Sequence, residues 1–283
     1  MNATDKAMLS TVSKQESKQS PPLQEISSAS TWNDGKPRQI EIFADRANIK
    51  RAIEDLGFSD IPYGKLVNWT IVKFKKRLGK FMASTASCCV RHVGQTGHVV
   101  SPKFCRGTIW WFTAQPKNYH PDDREFVASY ERCNEELRSH EGFNVQPVPV
   151  HFHGFHVEGE DRVISANERE RTWNKQDAGV DVALTTRLLR RCLAKDHPHA
   201  VLLISGDCDF TPVLREIIET IPGITVGVAA FRSRLSGVYW PGNKLGIQWP
   251  VRPIVLDDFL TTRSQGWKSR VDGSGSSQER SQR

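Results

Sequence analysis

Four aspartates carry the chemistry this chain is equipped to perform. Asp45 follows directly on the apolar run Ile40 to Ala44 (IEIFA), and Asp207 and Asp209 follow on Ala200 to Ser205 (AVLLIS). Asp181 lies in AGVDVALTTRLL, at what reads as the start of an amphipathic helix. A buried strand that ends on carboxylates is costly unless a cation or a basic partner compensates them. A carboxylate in the first turn of a helix is tolerated by the helix dipole. Clustered carboxylates are hard oxygen ligands, so the expected metal is Mg²⁺ or Mn²⁺ rather than zinc. A plainer reading stands beside this one. Asp is favoured at turns and helix N-caps, and Asp209 followed by Phe210 and Pro212 suits a helix start.

The elements that must position these acids alternate between strand and helix. IEIFA reads as a buried strand stopping at Asp45, followed by helical stretches from Ala47 to about Leu56 and from Tyr63 to about Phe81. Thr108 to Ala114 (TIWWFTA) is a second strand. Asp122 to His140 places Phe126, Tyr130, Cys133 and Leu137 at helical spacing. The prolines in NVQPVPVHF suit an edge strand or an irregular one. Val180 to Ala194 is amphipathic, AVLLIS is the most apolar strand, and Asp209 to Ile221 is helical. TVGVAAF is a further strand, and RPIVLDDFL a closing strand and turn. This alternation predicts an α/β fold, a three-layer α/β/α sandwich around a mostly parallel sheet. In such sheets ligands bind beyond the carboxyl ends of the strands, near the point where strand order switches.

The chain has 283 residues, 38% hydrophobic and 25% charged, as expected of an ordinary soluble globular protein. Residues 1–37 are rich in Ser, Gln, Lys and Pro and are expected to be a disordered extension, as is the tail over 265–283. Residues 38–264 form one domain, with a variable, basic insert over about 78–106. Nothing approaches the roughly 20 apolar residues of a membrane span, and the N-terminus lacks an apolar signal core. The six cysteines at irregular spacings fit an intracellular, cytoplasmic protein with reduced thiols. A net charge of +7 favours phosphate-bearing partners.

Other residues invite chemistry less strongly. Cys88, Cys89, His92, His98 and Cys105 are too loosely spaced for a good zinc site, and the insert's lysines and arginines suit a solvated surface or a nucleic-acid backbone. His151 and His153 share a strand face with no matching acid or thiol, and with His156 they are left outside the site. Trp240 and Trp249, near Arg232 and Arg234, suit base stacking and packing equally.

Taken in order, FADRANIK, AGVDVALTTRLL and LLISGDCDFTPVLREI resemble the three signature blocks of the NYN family, a branch of the PIN-like nucleases. The matching positions are Asp45 and Asn48, then Asp181, then Ser205, Gly206, Asp207, Asp209 and Phe210. The likeness spans roughly Gln39 to Leu260, and SGDCDF is its most specific block. It implies metal-dependent hydrolysis of RNA phosphodiester bonds, with Asp45, Asp181, Asp207 and Asp209 as metal-holding, catalytic residues. Asn48 and Ser205 would position phosphate or carboxylate. Where many family members carry a further acid after the VDV block this chain has Arg187, which could grip the substrate phosphate. A lysine commonly found close before VDV is displaced, the nearest being Lys175, and Asp177 supplies an acid at another position. Those departures define the alternative: an NYN domain with a degraded site, acting as an RNA-binding or regulatory module. A Mg²⁺-dependent phosphohydrolase on a doubly wound sheet would want a DxD at the first strand end, which FADRAN lacks. The partner implied is single-stranded or structured RNA, and homo-oligomerisation is left open.

Overall fold

The computed structural model describes residues 37–58, 61–93, 103–117, 124–151 and 178–261. Strand β1 (Arg38–Asp45) leads into helix α1 (Arg46–Asp55) and the long helix α2 (Tyr63–Val93). Strand β2 (Phe104–Lys117), helix α3 (Arg124–Ser139) and strand β3 (Phe143–His151) follow. Helix α4 (Ala178–Cys192), β4 (Ala200–Ile204), α5 (Thr211–Thr220), β5 (Thr225–Ala230) and the short β6 (Ile254–Val255) complete the order, with a final helical turn over 257–261.

The six strands form one sheet in the order β3-β2-β1-β4-β5-β6, and every pairing is parallel. The order runs outward one way from β1 and the other way from β4. The crevice beyond the carboxyl ends of these two strands is therefore the switch point where such sheets bind ligands. Prolines 147 and 149 sit in β3 at the sheet edge, where missing N–H donors cost least.

Period-two alternation divides the strands between two faces. On one face Ile40, Ile42, Ala44, Ile109, Trp111, Leu202 and Ile204 pack against Ile49 and Ile53 of α1 and against Leu66, Phe74 and Leu78 of α2. On the other, Phe43, Phe112, Val201, Leu203, Val226 and Val228 pack against Val180, Leu184 and Leu188 of α4 and Val213, Leu214 and Ile217 of α5. The result is the three-layer α/β/α sandwich that the strand–helix alternation calls for. Gly227 lets the layers approach closely, since a Cβ there would stand 2.9 Å from Phe74 Cζ.

Helix α2 runs to Val93, well past the end expected near Phe81. The segment expected as a basic loop over about 78–106 is thus helical in its first half, and β2 begins at Phe104. Residues 94–102 lie outside the described ones, as do the extensions over 1–36 and 262–283. His98, His153, His156, Lys175 and Asp177 are likewise outside them. Among the described residues, no helix is long and apolar enough to cross a membrane.

Candidate metal centre

The acids gather where β1 and β4 end. Asp45 is both the last residue of β1 and the N-cap of α1, and its backbone is still extended (φ −91°, ψ 105°). Its Oδ1 accepts from the N–H groups of Ala47 at 2.9 Å and Asn48 at 3.2 Å, which caps the helix. Its Oδ2 accepts from the Ser205 hydroxyl at 3.2 Å. Asn48 in turn accepts, through Oδ1, the Gly206 N–H at 3.1 Å. Two side chains therefore tie the start of α1 to the turn that follows β4.

That turn holds the next two acids. Asp207 caps a single 3-10 turn (Cys208–Phe210), and its Oδ1 accepts the Asp209 N–H at 3.1 Å. The 3-10 turn feeds straight into α5, with Pro212 in its first turn, where a missing N–H costs nothing. The capping reading of Asp207 and Asp209 is realised for Asp207 alone, since the next helix is capped by Phe210 without a side-chain bond; Asp45 caps as well, and capping does not compete with metal binding. A carboxylate offers about four lone-pair sites, and capping engages only part of them.

Gly206 is required by close approach. A Cβ at this residue would lie 2.6 Å from the Arg234 carbonyl carbon and 3.0 Å from Ala230 Cβ. The loop after β5 is seated directly on the acid turn. The Ser236 N–H donates to the Gly206 carbonyl at 3.0 Å, and the Tyr239 hydroxyl donates to the Asp207 carbonyl. Tyr239 is 1% exposed, and burial pushes its phenol well above the usual range.

Asp181 enters from the first turn of α4. Loss of hydration pushes its carboxyl up to about 7, and the charges of Asp45, Asp207 and Asp209 push the same way. All four predicted acids therefore share one electrostatic neighbourhood. Burial also raises Asp45, against the hydrogen bonds from Asn48, Ser205 and Ala47 that hold it down. Among the described residues, the donor atoms of Asp207, Cys208 and Asp209 lie within 4.8 Å of one another, and neither Asp45 nor Asp181 belongs to that group. Asp181 is coupled to it through charge. Two carboxylates and the Cys208 thiol make up that group; the carboxylates suit a hard divalent cation, and the thiol is a softer donor that such an ion does not require.

Arg187 sits elsewhere. Its guanidinium lies over the Trp110 ring, 4.6 Å from the centroid, on the face of the sheet covered by α4. Helix geometry explains the placement: six residues carry it about 9 Å along the axis from Asp181 and rotate it by roughly a third of a turn. Trp110 also donates its indole N–H to Glu41 at 2.9 Å, and Glu41 pairs with Arg191 at 2.6 Å. The positive charge of Arg51 in α1 lowers the pKa of both Asp45 and Asp181, as the smallest of the causes acting on each. Sequence reasoning passed over Arg51, although it lies three residues beyond Asn48 and hence near it on the helix surface.

No family model and no curated protein matches this chain. Among solved structures, a protein of unknown function from Vibrio parahaemolyticus is similar at 16% sequence identity, over 78% of this chain and 93% of that one. The TM-score of that match is 0.37, too low to carry a functional inference.

Proposed function

We propose that this protein is a metal-dependent endoribonuclease whose site is the carboxylate cluster at the β1–β4 switch point. The observation that carries the reading is the placement of Asp45 at the end of β1 and of Asp207 and Asp209 just after β4, with Asp181 in the first turn of α4, where burial first, and then the charges of the other three, push its carboxyl up to about 7. Such a cluster is costly to fold unless a cation offsets it. The resemblance of FADRAN, VDV and SGDCDF to the NYN signature blocks points the same way.

When bound, Mg²⁺ or Mn²⁺ would supply charge neutralisation at the scissile phosphate and a water acidic enough to attack near neutral pH. Asp45, Asp181, Asp207 and Asp209 would hold that ion. Ser205 and Asn48 fix the two strand ends that carry the acids, so that the carboxylates need no rearrangement when substrate arrives. Arg51, whose charge bears on Asp45 and Asp181, would strengthen the hold of the site on a phosphate. Arg187, resting on Trp110, would reach substrate only if its guanidinium left the ring. A cytoplasmic setting is supported by the free thiols of Cys105, Cys133, Cys192 and Cys208.

The test is hydrolysis of a labelled RNA with Mg²⁺ or Mn²⁺ and with chelator. Cutting that needs the metal, and yields ends without a 2′,3′-cyclic phosphate, is the expected result, because water rather than the ribose 2′-hydroxyl attacks. Binding without cutting would favour the second reading, an RNA-binding or regulatory module. Arg187 in place of a family acid is the observation on that side.

A further inference from the structure

The loop that follows β5 is fastened to the acid turn by Tyr239, and its next residue, Trp240, presents an aromatic ring to solvent. Phe231 and Tyr239 in this loop are buried, and Trp249 is half-buried. Trp249 packs on Tyr239 with ring centroids 5.2 Å apart and donates its indole N–H to the Val238 carbonyl at 2.7 Å. Trp240 is different. It is 38% exposed. The packing that the loop requires is supplied by its neighbours.

Trp240 is exposed, yet its backbone is held. Its N–H donates to the Gly237 carbonyl at 3.3 Å, and its carbonyl accepts from Asn243 Nδ2 at 3.1 Å. Asn243 also accepts the Leu245 and Ile247 N–H groups, which fixes the turn carrying Lys244. The preceding residue is Tyr239, whose hydroxyl is bonded to the Asp207 carbonyl. One chain step of about 3.8 Å separates the two α-carbons. A ring placed on so firm a backbone loses little freedom on binding a flat partner. Exposed Arg232 and Lys244 on the same loop supply positive charge.

We infer that Trp240 is a stacking platform for an unpaired base of a single-stranded nucleic acid whose backbone runs across the Asp207–Asp209 turn. The inference rests on the proposed nuclease site and names its substrate form: unpaired strand rather than duplex. An aromatic face accepts any base, so it selects strandedness and not sequence. In a duplex the bases are already stacked on one another, and the ring has nothing to receive.

The experiment is fluorescence anisotropy with labelled single-stranded RNA, single-stranded DNA, an abasic single strand and duplex RNA, with chelator present so that nothing is cut. Wild type, Trp240→Ala and Trp240→Phe are compared as full chains. Stacking predicts that Trp240→Ala weakens single-strand binding about 5- to 150-fold, from the usual 1–3 kcal/mol per stacked base. Trp240→Phe retains most of the affinity, and the abasic strand and the duplex are insensitive to the substitution. Equal single-strand binding by wild type and Trp240→Ala overturns the inference. So does an equal loss on the abasic strand, or a wild type that binds no single strand. If Trp240→Ala fails to fold, the wild-type preference for strands with bases and the Trp240→Phe affinity decide the matter. Trp240-dependent binding without metal-dependent cleavage would leave the platform standing and remove the nuclease reading; cleavage with Trp240-independent binding would do the reverse.

Discussion

The Ser205 hydroxyl donates to Asp45 Oδ2 at 3.2 Å and so joins the ends of β1 and β4, strands 160 residues apart in sequence. Both residues are buried, Ser205 completely and Asp45 to within 4%. Removing the donor leaves a buried carboxylate oxygen short of a partner. Ser205→Ala is expected to cost about 1–3 kcal/mol in denaturant unfolding, the usual penalty for such a group. Helix α1 should survive, because its cap bonds from Ala47 and Asn48 use the other oxygen. A change below about 0.5 kcal/mol, no more than surface substitutions usually give, would mean that the bond does no work in the folded state.

Asp181 makes stability depend on pH in a definite direction. Its carboxyl is raised from the ordinary 3.8 to about 7, so between those values the folded chain holds a proton that the unfolded chain has released. Stability from this group is full below about pH 4 and is lost as pH rises through 7. Asp181→Asn should therefore raise the melting temperature most at about pH 8.5, less near pH 5, and hardly at all near pH 4. Mg²⁺ or Mn²⁺ should raise the wild-type melting temperature with the same pH trend. A metal-induced shift that is the same across these pH values would contradict the charging of this site.

Arg187, expected from the sequence to face the carboxylates or grip phosphate, has its guanidinium over Trp110. An interaction of this kind is worth about 0.5–1 kcal/mol at an accessible site. Arg187→Ala should lower stability by about that much and leave the metal-induced melting shift intact. If the substitution instead abolishes or enlarges that shift, Arg187 belongs electrostatically to the acid cluster.

The parts of this molecule that the sequence discloses are those set by local rules. Apolar runs ending on Asp45 and before Asp207 mark two central strands, because short apolar runs bounded by polar and turn residues favour a buried strand over a helix, and the acids follow at their carboxyl ends. The prolines of β3 announce an edge. What stays hidden depends on distant partners. Glu41 looks like a stray polar residue in IEIFA, and only the fold brings Arg191, 150 residues away, and the Trp110 indole to it. Arg51 and Tyr239 are equally unremarkable in sequence, and their relation to the acids exists only once α1 and the loop after β5 are folded over the crevice. Helix α2 outruns its sequence pattern for a local reason. Beyond Phe81 the run MASTASCCVRHV has weak helical patterning, and its Ser, Thr and Cys residues resemble a loop.

The central claim is most directly tested by cleavage of a labelled single-stranded RNA pool in Mg²⁺ or Mn²⁺ by wild type and by Asp207→Asn. Asp207→Asn keeps a side-chain oxygen that can still accept the Asp209 N–H, so the turn should fold while the charge is lost. The account predicts metal-dependent cutting by wild type and a loss of at least about 100-fold in the variant, the scale seen when one transition-state contact is removed. Equal cutting by both proteins, or no cutting by wild type, would contradict it.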